Sequence, residues 1–284
     1  MIIDESLRSE LLVNFQPLNV VAAARAFPPP MALSAGLRGL LPRDKATQTE
    51  LTQSTASYFA TAAVDIWLRG VHSFLVSASL TGASPIWAVV TGYYSSHYAV
   101  RGFAHLLGYF QLFRDKRIAR LTLEGGHRIC TFIKKNAGDG EHKLYWKLVK
   151  QSAAFATDDF FTLNDPASEN SDIRHRNHAN YADHVGGYPV FKPLDEQTTK
   201  DRIEFISKMV FDAPPLPRFS EFPDVEYVQV IAYHRLVRFR RLLDDVLGTS
   251  HRFWSVHRNP AFVHEYIDFQ LAERAPLAQP GRDS

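Results

Sequence analysis

Between Arg69 and Arg101 the chain carries no Asp, Glu, Lys or Arg. A stretch of that length without charge is built to be buried, and it is long enough to span a bilayer. It also contains His72, Pro85, His97 and many Ser and Thr, and it breaks at Thr81-Gly82-Ala83-Ser84-Pro85. Beyond the break it has two chemically different faces, where a lipid-facing helix would be apolar all round. The sequence therefore reads as an antiparallel pair of helices buried by the rest of the same protein, with no membrane span.

The second of these helices is expected over Ser84–Phe110, with Ser84 as N-cap and Pro85 at the first helical position. At 100° per residue, Val89, Tyr93, Ser96, Val100, Phe103, Leu107 and Phe110 form one seam and predict the core face. Tyr94, Tyr98, Arg101 and His105 form the opposite stripe, with His97 on its flank. Tyr, Arg and His in one stripe predict a face that meets something polar. The first helix is expected over Thr47–Leu80, where Thr47 and Glu50 have the spacing of a capping box.

Elsewhere the pattern changes once. Arg117-Ile118-Ala119-Arg120-Leu121-Thr122-Leu123 and the run from His127 to Lys135 alternate, and Gly125-Gly126 separates them, which is the signature of a β-hairpin. Amphipathic helices are expected over His142–Phe155, Thr198–Phe211, Val225–Leu247 and Pro260–Arg274, with a polar helical piece over Asp172–Asp183. The fold class is mainly α with one small hairpin. The organisation expected is an N-terminal arm over 1–46, a single helical domain over 47–275 and a tail over 276–284.

Charge is distributed unevenly. Residues 101–150 carry 11 Lys/Arg against 4 Asp/Glu, residues 151–230 carry 7 against 14, and residues 231–258 carry 6 against 2. The basic blocks suit an anionic partner such as RNA, or the acidic block of this chain or another copy. The single cysteine, Cys130, allows no internal disulfide and no Cys-based zinc site. With no basic leader before an apolar run, this fits a cytoplasmic protein.

The densest chemistry lies in Arg174-His175-Arg176-Asn177-His178-Ala179-Asn180-Tyr181-Ala182-Asp183-His184. Arg donates in a fork to phosphate oxygens, and His moves protons near neutral pH. Together they suit cleavage of a phosphodiester through an adjacent 2′-hydroxyl. Arg174, Arg176, Asn177, His178 and His184 are the catalytic candidates, and Tyr94, Tyr98, Arg101, His105, Asn180 and Tyr181 the substrate-binding ones. His175, His178 and His184 follow no metal-site spacing, and the neighbouring arginines repel a cation, so neither a metal nor another cofactor is expected. Walker, GxGxxG, GxSxG and HExxH motifs are absent from the sequence.

The run GYYSSHYAVRGFAHLLG resembles the motif helix of small bacterial HEPN-domain proteins. Tyr93 and Tyr94 match a Tyr pair, His97 and Tyr98 stand at the aromatic/His positions in reversed order, and Arg101 matches an Arg. Downstream, Arg176, Ala179, Asn180 and Tyr181 stand where the same proteins carry Arg, Ala, Asp or Asn, and Tyr. The resemblance covers about residues 85–185, and it places a HEPN-like core at about 84–185 with further helices over 195–275. It implies a helical bundle that dimerises, works in toxin–antitoxin or antiviral defence, and cuts RNA without metal through an Arg and a His with four to six residues between them. Some members instead bind RNA or a cognate partner protein without cutting. Arg120/His127, Arg252/His257 and Arg258/His264 have that spacing, no more matches than chance gives. Arg258 and His264, at the start of a helix capped by Asn259, form the second catalytic candidate. Arg174 with His178 and Arg176 with His184 depart from the spacing.

Overall fold

The computed structural model describes residues 48–50, 53–111, 117–134, 141–151, 176, 196–212 and 224–247. Their order is β1 (Gln48–Glu50), α1 (Gln53–Leu80), α2 (Pro85–Leu106), β2 (Tyr109–Gln111), β3 (Arg117–Glu124), β4 (His127–Lys134), α3 (Glu141–Gln151), α4 (Glu196–Asp212) and α5 (Asp224–Leu247). The described part is mostly helical, with one small antiparallel sheet. Among the described residues no helix is long and apolar enough to cross a membrane. The expected helix over Pro260–Arg274 and the arm over 1–46 lie outside the described residues.

The chain divides into two compact units. One holds residues 1–66, 100–161 and 242–257, and the other holds 67–99, 162–241 and 258–284. Helices α1 and α2 are each shared, α1 dividing after Ile66 and α2 after Ala99.

In the first unit the sheet runs in the order β1-β4-β3-β2. The expected hairpin is there: β3 and β4 pair from Arg117↔Lys134 to Glu124↔His127. Gly125 and Gly126 join them at φ 57° and 87°, two left-handed residues in a row, as a type I′ turn requires. Alternation puts Phe110, Ala119, Leu121, Cys130 and Phe132 on one face, where they form a buried cluster with Ala62 of α1 packed against it. The flanking strands were not anticipated. β2 pairs Tyr109–Gln111 with Ile118–Arg120, and β1 pairs Gln48–Glu50 with Ile129–Thr131.

Two expectations are corrected by these strands. The helix expected from Thr47 begins at Gln53, and Glu50 makes no capping box. It lies in β1 and meets His127 Nδ1 at 2.6 Å. The helix expected to reach Phe110 ends at Leu106. Gly108 takes φ 85°, its N–H bonds to the His105 carbonyl at 2.9 Å, and the chain leaves as β2. Phe110 is buried as foreseen, but from a strand.

In the second unit the two halves of the charge-free stretch lie antiparallel. Ser95 Oγ donates to the Gly70 carbonyl at 2.8 Å and Ser77 Oγ to the Ala88 carbonyl at 2.6 Å. Each pair adds to the same residue sum, as antiparallel neighbours must. Ser84 and Pro85 open α2 as expected, the Ser84 carbonyl accepting from Ala88 N–H at 2.9 Å. Close approach requires glycine at position 92, where a Cβ would stand 2.8 Å from Val228 Cγ1 and 3.1 Å from Ser77 Oγ. Helix α5 completes the packing. Trp67 stacks on Phe239 at 6.0 Å and donates from Nε1 to the Leu236 carbonyl, and Phe74 meets Tyr233 at 5.2 Å. The buried Gln229 carboxamide donates to Ser77 O, Ser77 Oγ and Thr81 Oγ1, and accepts from Arg202 Nε of α4 at 2.9 Å. Arg202 Nη1 bonds Glu226 at 3.0 Å.

Candidate functional site

Helix α2 carries most of the candidate side chains. All seven residues of the expected seam, from Val89 to Phe110, are buried. The opposite stripe is also covered. Tyr94, Tyr98 and Arg101 are half-buried, and His105 is 5% exposed.

In the second unit an aromatic group surrounds one turn of α2. Residues four apart on a helix are neighbours, which brings His97 onto Tyr93 (6.4 Å, rings 15° apart) and Tyr98 beside Tyr94 (6.4 Å). Tyr94 meets Tyr93 edge-on at 5.6 Å, and His97 meets Tyr98 at 5.8 Å. Arg176, from the downstream segment, holds its guanidinium carbon 5.7 Å from the centre of the Tyr93 ring, within cation–π range. Two side chains capable of phosphate binding and proton transfer therefore converge on one tyrosine. Tyr93 and His97 are 1% and 3% exposed. Neither was singled out for the site from sequence, because Tyr93 falls on the core seam and His97 on the flank of the polar stripe.

In the first unit the end of the stripe has its own partners. The Arg101 guanidinium carbon lies 5.2 Å from the centre of the Tyr145 ring of α3. His105 stacks on Phe110 at 4.6 Å and meets Tyr145 edge-on at 5.9 Å. Burial first, and then the positive charge of Arg101, hold the His105 pKa well below the ordinary imidazole value, against a weak pull from the Ala62 backbone. Tyr145 was not foreseen. It lies in the basic block 101–150, and no spacing in the sequence ties it to α2.

Arg120 and His127, which have the Arg-to-His spacing, do not meet. Arg120 lies across from Thr131 and His127 across from Glu124, so the two sit about 13 Å apart along the strands. Arg120 lies over the Tyr109 ring at 5.4 Å, and His127 pairs with Glu50. Arg174, Asn177, His178, Asn180, Tyr181, His184, Arg258 and His264 lie outside the described residues. Among the described residues no group of His, Cys, Asp and Glu could hold a metal ion.

Compared with protein-family models, with curated proteins and with solved structures, the chain matches none.

Proposed function

We propose that the chain is a HEPN-like helical protein of a bacterial defence or toxin–antitoxin system that acts on RNA in the cytoplasm, as a homodimer and without metal. The observation that carries this reading is the contact between its two motif segments: Arg176 lies over Tyr93, beside His97. These segments stand 83 residues apart by their own numbers (176 − 93). On this reading Arg176 with Arg174, Asn177, His178 and His184 acts on the phosphodiester, Arg258 and His264 are the alternative pair, and the tyrosines of α2 with Asn180 and Tyr181 hold the substrate. Arg stabilises charge on phosphate oxygens, and a His near neutral pKa moves the 2′-hydroxyl proton. The basic balance of residues 101–150 supports an anionic ligand.

A second reading, in which the module binds RNA or a cognate protein without cutting, is favoured by one observation. The described histidines of α2, His97 and His105, are buried, and Arg101 and Arg176 both lie over tyrosine rings. That is packing chemistry as much as catalytic chemistry.

The test is incubation of purified protein with total RNA in EDTA, beside Arg176→Ala, His178→Ala and the Arg258→Ala/His264→Ala double variant. Cleavage that survives chelation and is lost in one of these supports the nuclease. Salt-sensitive RNA binding without cleavage supports the second reading. Absence of both RNA binding and cleavage removes RNA from the proposal.

A further inference from the structure

His105 occupies the last turn of α2 with its ring sealed from water and with neither nitrogen in hydrogen-bond geometry to another described group. Buried polar atoms are normally paired, so this arrangement holds only while the ring is neutral. Most of its neighbours favour the neutral ring. On its own helix, Arg101 places a positive charge one turn earlier, over the same Tyr145 ring that His105 touches. From α3 comes the Tyr145 ring, and from β2 the apolar Phe110 ring. Behind Phe110 lies Cys130, a buried thiol that burial keeps protonated. Among the described residues of α1, the Ala62 backbone reaches the ring and pulls weakly the other way. Among the described residues no carboxylate pairs with the imidazole. The helix C-terminus favours a cation there, but the Phe103 and His105 carbonyls are already taken by the N–H groups of Leu107 and Gly108.

We infer that His105 is an acid-sensitive latch of the first unit: neutral, it closes the Arg101–Tyr145–Phe110 cluster, and protonated, it releases the end of α2 from α3 and β2. The sign follows from linkage. The closed form takes up the proton less readily than the open form, whose imidazole titrates near the ordinary value of about 6.5. Closure is therefore unaffected above about pH 6.5 and weakens below it, by about tenfold in the open-to-closed ratio per pH unit. This inference stands independently of the RNA reading.

The experiment is amide hydrogen exchange of the intact chain at pH 7.5, 6.5 and 5.5, corrected for the intrinsic exchange rate. Peptides covering 100–111 and 141–151 should show protection falling about fivefold between pH 6.5 and 5.5, where the open-form imidazole is still passing through its titration, while 224–241 stays level. His105→Phe, which keeps a ring and removes the titration, should flatten the response. An acid response absent from the wild type, or retained in His105→Phe, overturns the inference. Should His105→Phe fail to fold, exchange at the His105 C2 position of the wild type decides. A midpoint well below 6.5 supports the latch, and one near 6.5 overturns it.

Discussion

Replacing Gln229 by Met tests how the second unit is held together. The side chain is fully buried on α5 and reaches two other helices, α1 through Ser77 and Thr81 and α4 through Arg202. Met has a similar length but neither donates nor accepts strongly. The hydroxyls of α1 suffer little, because Ser77 Oγ still donates to the Ala88 carbonyl and Thr81 Oγ1 to the Ser77 carbonyl. The main loss falls on Arg202, whose Nε–H is left without its acceptor in a side chain 13% exposed. A hydrogen bond to a charged group contributes about 1.5–3 kcal/mol, and each neutral one about 1 kcal/mol. The expected cost of Gln229→Met is therefore about 2–4 kcal/mol in urea unfolding, with protection lost across 196–212 and 224–241. The sharper test is the double variant with Arg202→Met. If a stranded guanidinium is the source of the cost, removing it recovers part, and the two substitutions fall short of additivity by about 1.5 kcal/mol. A loss below about 0.5 kcal/mol, or additivity within about 0.3 kcal/mol, refutes the reasoning.

The other predictions concern single contacts. Gly92→Ala places a methyl 2.8 Å from a stiff valine methyl in the core of the second unit and should cost about 1–3 kcal/mol by urea unfolding. Cys130, fully buried with its thiol pushed up to about 12, should resist a thiol reagent at pH 8 in the native protein and react on unfolding, with the rate checked by absorbance. Glu50→Gln removes an exposed pair whose side chains are 61% and 65% accessible, so stability should fall by less than about 1 kcal/mol, and less again at high salt.

The parts of the fold legible in the sequence were those with a period to read. The β3–β4 hairpin follows from alternation broken by two glycines, and the burial of α2 follows from its seam at helical spacing. The three-residue strands β1 and β2 are too short to alternate visibly. β1 was further disguised by Thr47 and Glu50, whose capping-box spacing is met by chance in a chain where Glu50 pairs across the sheet instead. The end of α2 was misjudged for a related reason. Phe110 continues the helical spacing, and the left-handed Gly108 turns it into a strand residue buried in the cluster of the sheet.

The polar stripe of α2 illustrates the harder limit. Periodicity identifies which residues share a helix face, and it grouped Tyr94, Tyr98, Arg101 and His105 correctly as one stripe. It carries no information on what covers that face, because the cover is set by residues remote in sequence. Arg101 and His105 are met by Tyr145, and Tyr93, on the opposite seam, is met by Arg176. In each case an aromatic ring receives a guanidinium, and the energy of that contact, about 0.5–2 kcal/mol with burial at the upper end, is available equally to a packing residue and to one that binds phosphate. A guanidinium stacked on a ring through its face still offers its in-plane N–H groups to an anion. Substituting Tyr93 by Leu therefore separates the roles: an Arg176 that serves packing loses stability with it, and one that serves RNA keeps its salt-dependent affinity once the ring is gone.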